Sequence, residues 1–347
     1  MLPSLCKRVT GGGQNFPKGL FGLEVEVEGP RLNQKVPGWK VVADGSLEAG
    51  SEFIFNGPCD KEEAFARIAA LNEAYKEEGI APTFSIRTSV HVHLNVHDLP
   101  PEKVFNIVIL YWIFEDVLLN FCGEDRKGNM FCLSHRDAEF VVFNLETVLK
   151  TRNLNNLFPG ELKYLSLNLL TLLKYGSLEF RGMKGTLSLP VLKRWINIIH
   201  NLYLYGIKLE NPAEISSQIS LLGAVEFGAK ALGKQERTRL ASKDSYSVLR
   251  NFRELQPIIH ATDWRNKGWA PKLEEEHVRI DFDDANRVLV VDGNEEMAVR
   301  RDNAELDVRW DVPPAPVFKP AKRRVPPFNG ELPRAADPFD FEPDGDF

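Results

Sequence analysis

Cysteine is scarce in this chain. Its 347 residues contain four, Cys6, Cys59, Cys122 and Cys132, widely scattered and with no C-x-x-C pair. That usage suits unpaired thiols in a reducing compartment and places the expected location in the cytoplasm. An excess of positive charge is also missing. The 43 Lys and Arg against 49 Asp and Glu leave a formal net charge of -6, so electrostatics argue for neither nucleic acid nor an anionic membrane as partner. Long uninterrupted apolar runs are lacking too. The most apolar stretch, Val104 to Leu119, is broken by Asn106, Glu115 and Asp116. It reads as too short and too charged to span a bilayer, and so as a core helix. Met1 to Thr10 has none of the apolar length of a signal peptide. There is no G-x-x-x-x-G-K-[ST] segment, which excludes a P-loop. Neither Ser-His-Asp nor Cys-His catalysis finds support, and no internal repeat is visible.

What the chain does have is a globular composition, with 43% hydrophobic residues, and length enough for one large domain or two small ones. Three short stretches then stand out. In Leu23-Glu24-Val25-Glu26-Val27-Glu28 every second residue is a carboxylate. In Val90-His91-Val92-His93-Leu94-Asn95-Val96 every second residue is an imidazole or amide. In Leu178-Glu179-Phe180-Arg181 a carboxylate and a guanidinium alternate with large apolar groups. Period two marks a half-buried strand, with one face for a core and one for chemistry. Residues i and i+2 lie roughly 7 Å apart along a strand, so glutamates at that spacing repel unless water or a cation intervenes.

Along the chain, residues 1–18 form a Gly-rich lead-in. Strands are predicted at about 20–28, at Trp39 to Val42 and at Ser51 to Phe55, with a turn at Asp44-Gly45-Ser46. A helix is predicted from Lys61 to about Glu78, with Asp60 as cap, Glu63 completing a capping box and Gly79 as stop. A strand from Phe84 to Val96 follows, then a long helix from Pro100-Pro101 to about Phe121 and a loop from Cys122 to Cys132. Two strands, Tyr164 to Leu170 and Gly176 to Arg181, precede an amphipathic helix over Pro190 to Tyr205 and a helical pattern from 212 to about 260. Residues 280–310 are highly charged, with a short apolar run at Val288 to Val291. Beyond Trp310 prolines dominate and apolar residues stand alone, so a tail at 311–347 without fixed fold is expected. Hairpin-length spacing near residues 20–56 favours an antiparallel α+β arrangement. The expected division is a domain at 19–310, with motifs within 20–205 and a helical extension at 206–310, flanked by lead-in and tail.

Each chemically equipped group has an ordinary reading beside the functional one. Glu24, Glu26 and Glu28 are hard oxygen ligands suited to magnesium, or else a solvated edge face. Glu52 taken alone is an exposed carboxylate at a strand start. His91 and His93 are metal candidates or a structural pair, while His97 and Asp98 read as surface. Glu179 and Arg181 are a metal carboxylate beside a phosphate-binding guanidinium, or a surface ion pair worth little. Arg126 and Lys127 are phosphate candidates, though a solvated loop is the more ordinary expectation. Asp44 is a candidate site residue or the head of an Asx turn.

Taken in order, Phe21-Gly22-Leu23-Glu24-Val25-Glu26, Trp39 to Ser46, Glu52-Phe53-Ile54, His91-Val92-His93 and Glu179-Phe180-Arg181 resemble the amidoligase family of carboxylate–amine ligases. Tyr164 and Asn168 are similar to its Tyr-x-x-x-Asn pattern, Gly185-Thr186-Leu187 to its Gly-Thr-Leu, and Arg126 to Cys132 to its Arg-x-x-Asn-x-x-Cys loop. The resemblance spans roughly residues 20–205. Where the family often has Cys-Gly before the first histidine, this chain has Thr88-Ser89-Val90. The resemblance implies a glutamine synthetase-like α+β fold, with a curved, mostly antiparallel sheet and helices packed on one face. It implies ATP and magnesium, with manganese as the other candidate ion, and a carboxylate and an amine as substrates. It makes Glu24, Glu26, Glu52, His91 and Glu179 metal ligands and sets His93 near the nucleotide. Arg181, and more weakly Arg126, would steady the transferring phosphoryl group, and Asp44 would orient the amine. Two other classes stay open: a metal-dependent hydrolase that works without ATP, and a catalytically silent binding protein.

Overall fold

A computed structural model of the chain describes residues 17–43, 47, 50–151, 163–240, 244–262 and 264, with two short strands at 279–282 and 288–291. The chain divides into two compact units, Met1–Glu296 and Met297–Phe347, and all described residues belong to the first. The expected lead-in through residue 16, the turn at Asp44, Cys6 and the tail beyond Trp310 lie outside the described residues.

The fold is mixed α+β around a six-stranded antiparallel sheet. Its strands are β1 (Phe21–Glu28), β2 (Trp39–Val42), β3 (Gly50–Phe55), β4 (Ser89–Asn95), β5 (Leu167–Asn168) and β6 (Ser177–Lys184), in the order β2-β3-β1-β4-β6-β5. A separate two-stranded ladder joins β7 (Arg279–Phe282) to β8 (Val288–Val291). On one face of the large sheet, Leu23, Val25, Phe53, Val90, Val92, Leu178 and Phe180 are all buried. That face packs on helices, with Tyr75 of α1 (Lys61–Glu77) edge-on to Phe53 and Tyr111 of α2 (Pro101–Cys122) edge-on to Phe180. The period-two alternation thus does what sheets require of it, sending one set of side chains to the core and the other to the opposite face.

Helix α1 starts on Asp60, whose carboxylate accepts from the Glu63 N–H at 2.9 Å. Glu63 does not turn back to the cap; its carboxylate takes Arg67 at 2.9 Å instead. Helix α2 begins at a proline, whose missing N–H costs nothing at a helix start, and extends three residues past each end of the interrupted apolar stretch. At 22 residues it is long and apolar enough to cross a membrane by length and composition alone, contrary to the expectation that it is too short. Its apolar surface is covered within the protein, by β6, by α5 (Leu189–Lys208) and by α8 (Asp244–Glu254).

Three segments differ from expectation. Residues Phe84 to Thr88 are not strand, because Thr88 closes a turn on Ser85, donating through both its N–H (3.2 Å) and its hydroxyl (2.9 Å) to the Ser85 carbonyl. The strand expected at Tyr164 to Leu170 shrinks to the two residues of β5, since Leu165 bridges to Leu133 and Thr171 opens α4 (Thr171–Lys174). Helix α3 (Glu139–Thr151) was not anticipated. Its buried Val141, Leu145, Val148 and Leu149 fall on one helical face, but the β-branched and aromatic run at its start favours strand as much as helix. The helical pattern after 212 resolves into α6 (Ala213–Leu232), α7 (Arg237–Leu240), α8 and α9 (Gln256–Ile259), with α6 broken at Gly223, whose φ of 72° only glycine adopts freely.

Candidate functional site

The sheet face opposite the helices carries the candidate residues. Cross-strand register places Glu26 against Glu52, Glu24 against His91, His93 against Glu179, and Asn168 against Glu179. Four adjacent strands, β3, β1, β4 and β6, therefore deliver four carboxylates, two imidazoles and one guanidinium to a single surface. Glu26 and Glu52 stand directly opposite on the ladder, an arrangement of like charges that is destabilising by itself.

The polar contacts form one connected set. Glu24 Oε2 lies 3.0 Å from His91 Nδ1, and Glu24 Oε1 lies 3.2 Å from His93 Nε2. His91 Nδ1 is also 3.3 Å from Glu179 Oε1. Glu26 Oε2 accepts both the N–H and the hydroxyl of Ser89 at 2.7 Å, and the Ser89 oxygen is 2.7 Å from His91 Nε2. Glu179 is bound at both oxygens: Arg181 Nη1 donates to Oε1 at 2.6 Å and Asn168 Nδ2 to Oε2 at 2.6 Å. His93 Nδ1 meets the Ser177 hydroxyl at 3.2 Å, and Tyr175 stands edge-on to its ring.

Charge follows from this geometry. Burial would push the Glu24 carboxyl up, but the charge of His93 and the hydrogen bond of His91 outweigh it and hold the group well below the usual carboxylate range. Glu179 is likewise buried and likewise lowered, by Arg181 first and then by His93 and His91. Burial opposes the charged form of His93, yet Glu24 raises its pKa above the ordinary imidazole value. The carboxyls of Glu24 and Glu179 are thus matched against His93 and Arg181 on a buried face.

Among the described residues, two sets of three side chains offer ligand atoms within 4.8 Å of one another: Glu24, Glu52 and His91, and Glu24, His93 and Glu179. Glu24 belongs to both. Carboxylate oxygens with imidazole suit a divalent cation, the oxygens favouring magnesium or manganese. One buried polar atom of the cluster, Arg181 Nε, has no hydrogen-bond partner, which is the condition in which a bound anion relieves a cost. A cavity of about 330 Å³ opens beside His93, lined by Glu24, Ile54, Pro58, His93, Tyr175 and Ser177. A larger recess of about 650 Å³ beside β2, lined by Arg31, Lys35 and Val41 among others, contains none of the clustered carboxylates or histidines.

The approach of Arg181 depends on an irregularity. Val92 pairs with Phe180, whereas Val90 pairs with Met183, so Arg181 and Gly182 together oppose His91. This is a β-bulge, a device that re-aims side chains beside functional sites. It lets Phe180 and Met183, an odd number of residues apart, both reach the core. Gly182 faces the helices there, with Leu119 Cδ2 only 3.0 Å from where a β-carbon would sit.

Not every expected residue lies on this face. Arg126 is fully buried rather than solvated. It donates through Nε to the Gly182 carbonyl (3.2 Å) and through Nη2 to the Arg181 carbonyl (3.1 Å), because the short 3-10 turn Glu124–Arg126 tucks it under β6. Lys127 is exposed and pairs with Glu124 at 3.4 Å. His97 is buried, not surface, since Gly176 packs on its ring in the turn that follows β4; Asp98 is exposed as expected. Asn95 does lie on this face and lines the 330 Å³ cavity, buried and with its amide donating to the Pro17 carbonyl at 2.8 Å. Glu28 lies outside both ligand sets. Asp44 falls outside the described residues. Ser89 and Ser177 were not anticipated as partners of the cluster. Their one sequence signal is position, each at the start of a strand that carries it. No protein-family model matches the sequence, and no curated protein matches it significantly.

Proposed function

We propose that this protein is an ATP-dependent carboxylate–amine ligase with a glutamine synthetase-like fold, forming an amide through an acyl phosphate. One observation carries the reading: the Glu-x-Glu, Glu, His-x-His and Glu-x-Arg segments that resemble the amidoligase family converge on one face of four adjacent antiparallel strands. In this reading Glu24, Glu52 and His91, and Glu24, Glu179 and His93, hold magnesium, with Glu26 beside them. Bound magnesium neutralises phosphate charge and aligns the nucleotide. His93 and Glu24 line the 330 Å³ cavity, and there His93 would contact the nucleotide. Arg181 is fixed by Glu179 through Nη1, which leaves Nε to meet a phosphoryl oxygen as it transfers.

A carboxylate is a poor electrophile, so the substrate is first activated. Its oxygen attacks the γ-phosphorus of ATP, the bond to the β-phosphate oxygen breaks and ADP leaves. The amine nitrogen then attacks the acyl carbon, loses a proton, and expels phosphate with the bonding electron pair. Both steps bring anions or lone pairs together, and positioned cationic donors lower that barrier. Asp44 remains the candidate for orienting the amine. Arg126 contributes by holding the Arg181 main chain, not by touching substrate.

The test is ADP release from magnesium–ATP in the presence of pooled carboxylates and amines. The expected result is release that needs a member of each pool. Cleavage of amides with metal alone and no ATP would favour a hydrolase. Tight nucleotide binding without turnover would favour a silent binding protein.

A further inference from the structure

Glu115 is a charged residue in the middle of α2, a helix that is otherwise almost wholly buried apolar surface, and it is 1% exposed. Both of its oxygens are used. The Ser166 hydroxyl donates to Oε1, and Oε2 takes the His135 main-chain N–H at 2.8 Å together with His135 Nδ1. Tyr111, one turn earlier on the same helix face, donates to the Ser166 oxygen at 3.2 Å. Trp112 stacks on the His135 ring. The carboxylate thus braces two segments distant in sequence, the stretch around Leu133 to His135 and the approach to β5. These segments also meet directly, since the Ser166 N–H donates to the Leu133 carbonyl at 2.8 Å.

What the tied corner holds is the bulge of β6. The Arg181 N–H donates to the Ser166 carbonyl at 2.7 Å, while Arg126 takes the Arg181 carbonyl from the other side. Two residues beyond Ser166, Asn168 binds the second oxygen of Glu179. A bulged residue is left out of the regular ladder, so its direction is set by whatever binds its peptide group. Burying a carboxylate is costly unless every oxygen is partnered, and a leucine would fill this helix position without that cost. We propose that Glu115 is a positioning residue for Arg181. Acting through Ser166 and His135, it fixes the bulge so that the guanidinium reaches the transferring phosphoryl group. The proposal rests on the ligase reading for the purpose of the positioning, though not for the contacts themselves.

Glu115→Gln tests it. In ADP-release assays the expected result is a fall in kcat of about tenfold or more with KM for ATP changed less than about twofold, the split of an interaction needed in the transition state. Hydrogen exchange read by mass spectrometry should quicken at 164–168 and 179–184 while α1 and β1 to β3 keep wild-type protection. A lowered melting temperature with unchanged kcat and unchanged exchange at 179–184 would overturn the proposal, leaving Glu115 a purely structural group. If the wild-type protein releases no ADP with any substrate pool, the ligase reading fails on its own. The exchange pattern, together with a calorimetric titration of magnesium alone, then decides: loosened 179–184 with weakened magnesium binding supports the positioning link, and wild-type behaviour in both refutes it. Should Glu115→Gln not fold, Ser166→Ala removes only the hydroxyl and is read by the same measurements with the same outcomes.

Discussion

Arg181 donates to Glu179 at 2.6 Å from two residues away on the same strand and the same face. The pair is not a solvated surface bridge, for Glu179 is 3% exposed and its other oxygen is held by Asn168. If the guanidinium serves phosphoryl transfer, Arg181→Ala should lower turnover by about 10²-fold, the scale seen when one preorganised donor is lost, with nucleotide affinity little changed. Arg181→Lys should also be impaired, because an ammonium keeps the charge and loses the fork. Steady-state ADP release beside calorimetric nucleotide titration checks this. Full turnover in the alanine variant removes Arg181 from the chemistry.

Glu24 and Glu26 occupy the same strand and do different work. Glu24 belongs to both ligand sets, while Glu26 is engaged by Ser89 and lies 3.8 Å from His91 Nε2. Glu24→Gln should therefore weaken magnesium–ATP binding more than Glu26→Gln does. Glu26→Gln should instead lower stability by about 1–3 kcal/mol, the range for a buried hydrogen-bonding group left imperfectly paired. Titration calorimetry and denaturant melts separate the two effects. Equal loss of affinity in both variants would contradict this division.

Arg126 spends two donors on carbonyls of the bulge and touches no carboxylate of the cluster. Arg126→Ala should cost about 3 kcal/mol of stability, as expected for buried hydrogen bonds from a charged donor. Arg126→Lys should recover little, since one ammonium cannot span both carbonyls. Urea unfolding measures both, and a change under 1 kcal/mol in the alanine variant would show the bulge to be self-supporting.

His200 gives the fold a pH dependence away from the site. Its ring lies parallel to Phe21 and edge-on to Tyr203. Burial, then Lys61, pushes its pKa below the ordinary imidazole value. The unfolded chain therefore takes up the proton first. The His200 contribution is complete above about pH 6.5, the unfolded value, and is lost as pH falls through that value towards the folded one. The melting temperature should drop over this window in the wild type and drop less in His200→Phe. Parallel pH profiles would dismiss the role.

The strands that carry the site were legible because each alternates strictly, and alternation leaves one reading of which side faces the core. Register was not legible. That Glu24 lies opposite His91, and His93 opposite Glu179, depends on how far apart in sequence each partner strand begins. The bulge was hidden for the same reason: Arg181-Gly182-Met183 reads as simple continuation until its partner is known. Arg126 and His97 were misjudged because loops and strand ends suggest water, whereas here neighbouring main chain closes over both. Helix α3 was missed although its i, i+4, i+7, i+8 buried positions are periodic, since Phe140 to Phe143 reads equally well as strand.

The order of strands in the sheet also sets an order in time. During synthesis from the N-terminus, Glu24, Glu26 and Glu52, on the paired strands β1 and β3, are all made long before residue 181 leaves the ribosome. Strand β6, which brings the guanidinium, must return across more than eighty intervening residues to pair with β4, and such distant closures are the slow ones. Until then the nascent half-sheet is a like-charged surface, which keeps newly made chains apart while their apolar faces are still uncovered.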